Sequence, residues 1–184
     1  MKFKKYLKKS EVFVSGTFDH ETNDPLYQRE LELKGAIEQF IKATEDLDAM
    51  KKHKYYGRDL PKGFKSPTPD AQTINENFAP DVNDSSEQDL HAIIGICTEA
   101  GELLEAIYKH KWKGEDFDVV NAKEETGDLF WYLAILFRRH NWNIKAIWDR
   151  NIEKLTKRYG KKFSKEKANN RDLKAERKIL EKKD

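Results

Sequence analysis

The sequence predicts an all-α fold with a four-helix-bundle core, and three observations carry that expectation. Apolar residues recur at spacings of three and four over four separate stretches, with no strand-rich region between them. Glycine closes two of the stretches, and proline-rich or polar segments link them. Two consecutive stretches each carry a pair of carboxylates three residues apart, Glu99 with Glu102 and Glu125 with Asp128. That spacing puts both members of a pair on one face of a helix, one turn apart.

Residues 1–30 have no sustained period and read as an N-terminal extension. Val12, Val14 and Phe18 within it suit a short strand or an ordered arm. From about Glu30 to Tyr55 the period becomes helical, through Leu31, Ile37, Phe40, Ile41 and Leu47, and Gly57 supplies a C-terminal stop. An irregular connection over about 58–84 holds four of the five prolines, Pro61, Pro67, Pro69 and Pro80. Connections of that length are functional lids or disordered segments.

The second helix begins at Ser85 or Ser86, where S-S-E-Q offers an N-cap with Gln88 as its capping-box partner. It runs to about Trp112, with Ile93, Cys97, Ala100, Leu104 and Ile107 as the expected core stripe. A third helix starts between Asp118 and Asn121 and ends near His140. Its apolar run from Leu129 to Phe137 is expected to be buried on every side. After an Asn-Trp-Asn turn, a fourth helix spans about Ile144 to Tyr159, with Ile144, Ile147, Trp148, Leu155 and Tyr159 at helical spacing and Gly160 as its stop. Arg171 to Lys183 is helical in pattern but buries little alone. The expected organisation is an extension, a helical domain over 31–160 and a charged segment over 161–184.

At 184 residues the chain suits one domain with a real core. Its single cysteine, Cys97, excludes an internal disulfide framework, fits a reducing compartment and reads as a buried structural thiol. No apolar run reaches membrane-spanning length, and the lysine-rich start lacks a signal peptide's apolar region. The reading is a cytoplasmic protein. The net charge of +2 conceals basic ends: five lysines and no acid in residues 1–9, and +5 over 161–184, against −8 for the body between them. Such ends are usually solvated, though they suit weak nucleic-acid contact.

The acidic pairs carry the chemistry. The polar connection containing Gly114 makes their helices antiparallel neighbours, so the two acidic faces can meet. Acidic pairs are common on solvated helix faces. Here, however, Glu99 and Glu102 share their sector with Ala92, Gly95 and Ala106, ground for close approach, and Asp128 opens the apolar run. Four converging carboxylates require a cation. An all-oxygen set favours Mg²⁺, with Mn²⁺ as the alternative, and so phosphate-ester or phosphoanhydride substrates. No histidine stands at i+3 to suit a di-iron site, and no G-x-x-x-x-G-K-[ST] loop is present. Metal-assisted hydrolysis remains.

The segments H-A-I-I-G-I-C-T-E-A-G-E-L-L-E-A-I, K-E-E-T-G-D-L-F-W-Y-L-A and N-I-E-K-L-T-K-R-Y-G, with a downstream F-S-x-E-x-A-x-N-R-D-L-x-x-E-R, resemble the MazG-type all-α nucleoside triphosphate pyrophosphohydrolases over roughly Glu87 to Arg177. The resemblance implies Glu99, Glu102, Glu125 and Asp128 as catalytic Mg²⁺ ligands. It also implies cleavage of a nucleoside triphosphate between its α- and β-phosphates, giving a monophosphate and pyrophosphate. The first Glu of the family's E-E-x-x-E motif is Thr98 here.

Further substrate contacts are expected beside the ligands. Tyr132 is one turn past Asp128, placed for sugar or base, or else packed in the core. Asn151, Lys154 and Arg158 recur along the fourth helix and suit a triphosphate, or else a solvated face. Lys109 lies one heptad beyond Glu102 and balances the acidic face, or is a surface lysine. His91 shares a side with Thr98 and Glu102, where an ordinary helix-face histidine also fits. Trp112, at the helix end, suits stacking on a base, or core packing. An acidic cleft on a small bundle suggests a homodimer or homotetramer. Two other functions fit the sequence: a non-catalytic nucleotide- or metal-binding regulator, with Thr98 as its sign, and a helical module whose basic ends bind nucleic acid.

Overall fold

A computed structural model describes residues 1–13, 26–65 and 86–182, with side chains from Arg29 onward in the second of these spans. The fold is all-α, with no strand among the described residues. Its helices are α1 (Phe3–Ser10), α2 (Leu26–Tyr56), α3 (Glu87–Tyr108), α4 (Val119–Arg139), α5 (Ile144–Tyr159), α6 (Lys165–Asn169) and α7 (Leu173–Leu180). The four long helices α2 to α5 fall where the apolar periods put them.

The chain ends of these helices follow local chemistry. α2 stops at Gly57, whose φ of +65° is left-handed and whose N–H returns to the His53 carbonyl. α3 passes into a single π turn, Lys109–Lys113, and ends at Gly114 with φ +73°. Asp118 opens α4 by accepting from the Val120 and Asn121 N–H groups at 3.0 Å. Asn143 does the same for α5, accepting from Ala146. The S-S-E-Q start behaves differently: Ser86 precedes α3 in a helical backbone conformation, so its side chain makes no cap bond. Ser85 lies outside the described residues, as do Val14 and Phe18 of the expected arm and most of the proline-rich connection. Val12 sits in a 3₁₀ turn, Glu11–Phe13.

The chain forms two compact units, one of residues 24–136 and another of 1–23 with 137–184. In the second unit, Phe3 and Tyr6 of α1 lie on the Trp148 ring of α5, each at 5.4 Å, and Phe13 stacks on Tyr159. The charged C-terminal segment is tied in rather than loose. Glu176 of α7 is buried and accepts from Arg158 of α5, and Lys182 pairs with Glu153.

In the first unit the buried face of α3 is not the expected apolar stripe. Ala92, Gly95, Thr98, Glu99, Gly101 and Tyr108 are buried, whereas Ile93 is 50% exposed and Ile107 44%. The cause is close packing. A β-carbon at Gly95 would fall on the Tyr132 ring of α4, and one at Gly101 on Thr44 of α2. The small-residue side therefore takes the neighbours, leaving Leu90, Ile93 and Ile107 outward. On α4 the run from Leu129 to Phe137 is likewise buried on one side only. Glu125, Tyr132 and Leu136, spaced by seven and four, face inward, while Phe130 and Trp131 are 48% and 55% exposed.

Candidate metal centre

The sides of α3 and α4 that pack together carry the acidic residues. One carboxylate oxygen each from Glu99, Glu102 and Glu125 lies within 4.8 Å of the others, and no other described residues form such a set of three. Glu99 and Glu125 are buried and Glu102 is open to solvent. Asp128 is exposed and outside the trio. At about 100° per residue it sits some 60° off the buried line from Glu125 to Tyr132, which turns it outward. The four-carboxylate convergence expected from the sequence is therefore a convergence of three.

The electrostatics of the trio are those of crowded acids. Burial, then hydrogen bonding to Glu99 and repulsion from Glu102, push the Glu125 carboxyl up to about 8. Glu102 is also raised, first by its partial burial and then by Glu99, against a hydrogen bond from Glu125 that lowers it. Both shifts favour the protonated form of these carboxyls in the metal-free protein. This donor set, three hard carboxylate oxygens within reach of one another, fits a hard divalent cation, which Glu99, Glu102 and Glu125 would hold.

Behind the trio stands a lysine that the sequence did not single out. Lys51 of α2 is 4% exposed. Its ammonium donates to Thr98 Oγ1 at 2.9 Å and to the Tyr132 hydroxyl at 3.4 Å. It also pairs with Asp48 at 3.0 Å and Glu99 Oε1 at 3.5 Å. In sequence Lys51 is one of several lysines in a charged helix. Its i,i+3 spacing from Asp48 is that of an ordinary surface pair, so nothing in the sequence marked it.

The expected substrate contacts are placed variously. Tyr132 is buried with its ring against Gly95 and edge-on to His91 at 5.8 Å; burial, then Tyr56, raises its hydroxyl. His91 is half-buried, stacked on Tyr55 at 4.3 Å, with Nε2 3.1 Å from the Tyr56 hydroxyl. Burial, then Lys51, holds its imidazole below the usual range. Lys109 pairs with Glu105 at 2.7 Å, and Trp112 lies by Tyr108 with Lys111 over its ring. The remaining three are on α5, in the other compact unit. Asn151 accepts from Tyr6, Lys154 is half-buried, and Arg158 is committed to Glu176 through two nitrogens at 2.8 and 2.6 Å.

A helical fold whose consecutive helices bring three carboxylates together defines the class of the site. Residues 88–163 match the family model of the MazG nucleotide pyrophosphohydrolase domain, the family that the motifs resemble. The match includes α3 from Gln88 and all of α4 and α5, and takes in the whole trio. No curated protein and no solved structure matches significantly. Among the described residues no helix is long and apolar enough to cross a membrane.

Proposed function

We propose that this chain is a Mg²⁺-dependent nucleotide pyrophosphohydrolase, cleaving a nucleoside triphosphate between the α- and β-phosphates to the monophosphate and pyrophosphate. The observation that carries this reading is the convergence of Glu99, Glu102 and Glu125 inside the segment that matches the MazG domain. Mg²⁺ is commonly held by one or two carboxylates with water and substrate phosphates completing its shell. Three carboxylates, one of them open to solvent, suit that requirement. Asp128 is assigned to the open side of the same ion.

A divalent ion held there supplies Lewis-acid stabilisation of charge on the phosphate oxygens and the leaving pyrophosphate. The chain's own part is to fix the carboxylates and to accept the proton of the attacking water through one of them. Glu99 is fixed most firmly, by Lys51 and by Thr98 Oγ1 at 3.3 Å. His91 and Tyr132 are kept as contacts of the nucleoside end, because they lie on the trio's own helices. The outward stripe of Leu90, Ile93 and Ile107 favours a homo-oligomer in which a second copy covers it. A cytoplasmic setting is proposed from the single cysteine.

The test is product analysis over a panel of ribo- and deoxynucleoside triphosphates, with Mg²⁺ and with chelator, for wild type and Glu125→Gln. Monophosphate plus pyrophosphate, lost with chelator and in the variant, supports the proposal; orthophosphate release or metal-independent turnover sinks it. A second reading is favoured by the exposure of Asp128 and by Thr98: a regulator of the same fold that binds nucleotide with Mg²⁺ and does not turn it over. Tight nucleotide binding without product is its signature.

A further inference from the structure

The buried ammonium of Lys51 does more than hold Glu99, because it is bonded on several sides at once. Four oxygens surround Nζ: Thr98 Oγ1 at 2.9 Å, Asp48 Oδ1 at 3.0 Å, the Tyr132 hydroxyl at 3.4 Å and Glu99 Oε1 at 3.5 Å. An ammonium has three protons to donate and nothing to accept with, so these partners exhaust it. They come from α2 itself, from α3 and from α4, which fixes the charge in place rather than leaving it on a mobile stem. The side chain is 3% exposed, so no solvent shares in its neutralisation.

The neighbours also decide which side of the trio the lysine faces. It meets Glu99 through Oε1, the oxygen that also faces the Thr98 hydroxyl. Thr98 presents a neutral oxygen to the ammonium. It adds no charge there, and so no carboxylate ligand for another cation. A dication on that side of Glu99 would sit against a fixed positive charge in a poorly screened interior. The two remaining carboxylates make no ion pair with Lys51: Glu102 is open to solvent and Glu125 completes the trio. Asp48 shares Lys51 and also pairs with Lys52, so one divalent ion with the two lysines brings four positive charges to the trio and Asp48.

We propose that Lys51 is the built-in counter-cation of this centre. It positions the Glu99 carboxylate, stabilises the metal-free protein, and limits the trio to a single divalent ion. This role presupposes the Mg²⁺ reading of the trio. Lys51 is a positioning residue and touches neither substrate nor the reacting atoms.

The experiment counts Mn²⁺ by the electron paramagnetic resonance signal of the free ion, titrated into the metal-free full chain, for wild type and Lys51→Met. Thermal melts of both proteins in chelator and in saturating Mg²⁺ accompany it. The expected results are one Mn²⁺ per wild-type chain, more than one per Lys51→Met chain, and a rise in melting temperature on adding Mg²⁺ at least twice as large in the variant. A purely structural lysine would lower both melting temperatures equally and leave the Mg²⁺ increment unchanged, which overturns the proposal. Two Mn²⁺ per wild-type chain also overturns it while leaving the metal reading intact. No Mn²⁺ bound by wild type overturns the metal reading and this role with it. If Lys51→Met folds only with Mg²⁺, that dependence is the expected signature. If it folds under neither condition, the wild-type count decides, one ion in favour and two against.

Discussion

Lys51 and Thr98, forty-seven residues apart in the chain, are joined by a buried hydrogen bond of 2.9 Å from the ammonium to the hydroxyl oxygen. The bond links α2 to the turn of α3 that carries Glu99. Thr98 is the most enclosed large side chain described, at 1% exposure, and its hydroxyl also lies 3.0 Å from the Gly95 carbonyl. A threonine here is therefore a polar element of the core.

Thr98→Val preserves shape and removes the acceptor, leaving a buried charged donor one partner short. Hydrogen bonds to charged groups contribute about 1.5–3 kcal/mol. The expected loss is about 2 kcal/mol in denaturant unfolding, with Thr98→Ser losing less than half as much. Equal stability of Thr98→Val and wild type would show that the bond is dispensable.

The packing of α3 gives a contrast between two glycines, both in helices. A β-carbon at Gly95 would come well under 3.0 Å from the Tyr132 ring, whereas one at Gly35 of α2 meets nothing within 4 Å. Gly35→Ala should stabilise by about 0.5–1 kcal/mol, the usual helix-propensity gain. Gly95→Ala forfeits that gain by displacing Tyr132, with a net loss of about 1–3 kcal/mol expected for an overpacked contact. Parallel urea titrations of the two variants should move in opposite directions.

Much of the fold was legible because helix boundaries are local. The glycines at 57 and 160 and the helical periods marked α2 to α5 without any tertiary information. The trio was legible in part, since the i,i+3 spacing marked all three members, but it also marked Asp128, which is exposed and outside the trio. What escaped depends on which side of a helix its neighbours take. The apolar stripe through Ile93 and Ile107 reads as core by hydrophobicity, but the glycines on the opposite side admit closer packing, and closeness decided. Lys51 was invisible because Asp48-x-x-Lys51 has the spacing of an ordinary surface pair. Arg158 pointed to phosphate by its charge, and only the fold brings Glu176 to it.

Glu176 provides a test in the other compact unit. It is 4% exposed and accepts from Arg158 at 2.8 and 2.6 Å and from Arg171 at 2.7 Å. The hydrogen bonds from Arg158, then Arg171, pull its carboxyl down to about 2. A depressed carboxyl contributes stability above its unfolded value, near 4.5, and loses it as pH falls toward 2. Glu176→Gln should cost about 2–3 kcal/mol at pH 7. That difference from wild type should shrink below pH 4.5 and vanish near pH 2. A difference that stays constant with pH would assign the effect to shape rather than charge.

The trio makes the opposite prediction, because the Glu125 carboxyl is pushed up, to about 8. Between 4.5 and 8 the metal-free folded protein holds a proton that the unfolded chain has released. Stability contributed by that proton is complete below 4.5 and is lost as pH rises through 8. In chelator, therefore, wild type should lose stability across this window and Glu125→Gln should not. If the trio holds a divalent ion, the ion competes with the same proton. Its binding at pH 7 should release close to one proton, seen as a calorimetric enthalpy that varies with the buffer's ionisation heat, and affinity should climb with pH and level off above 8. At pH 9 the release should be absent. A buffer-independent enthalpy at pH 7 would mean that the ion binds without displacing the proton, and hence away from Glu125.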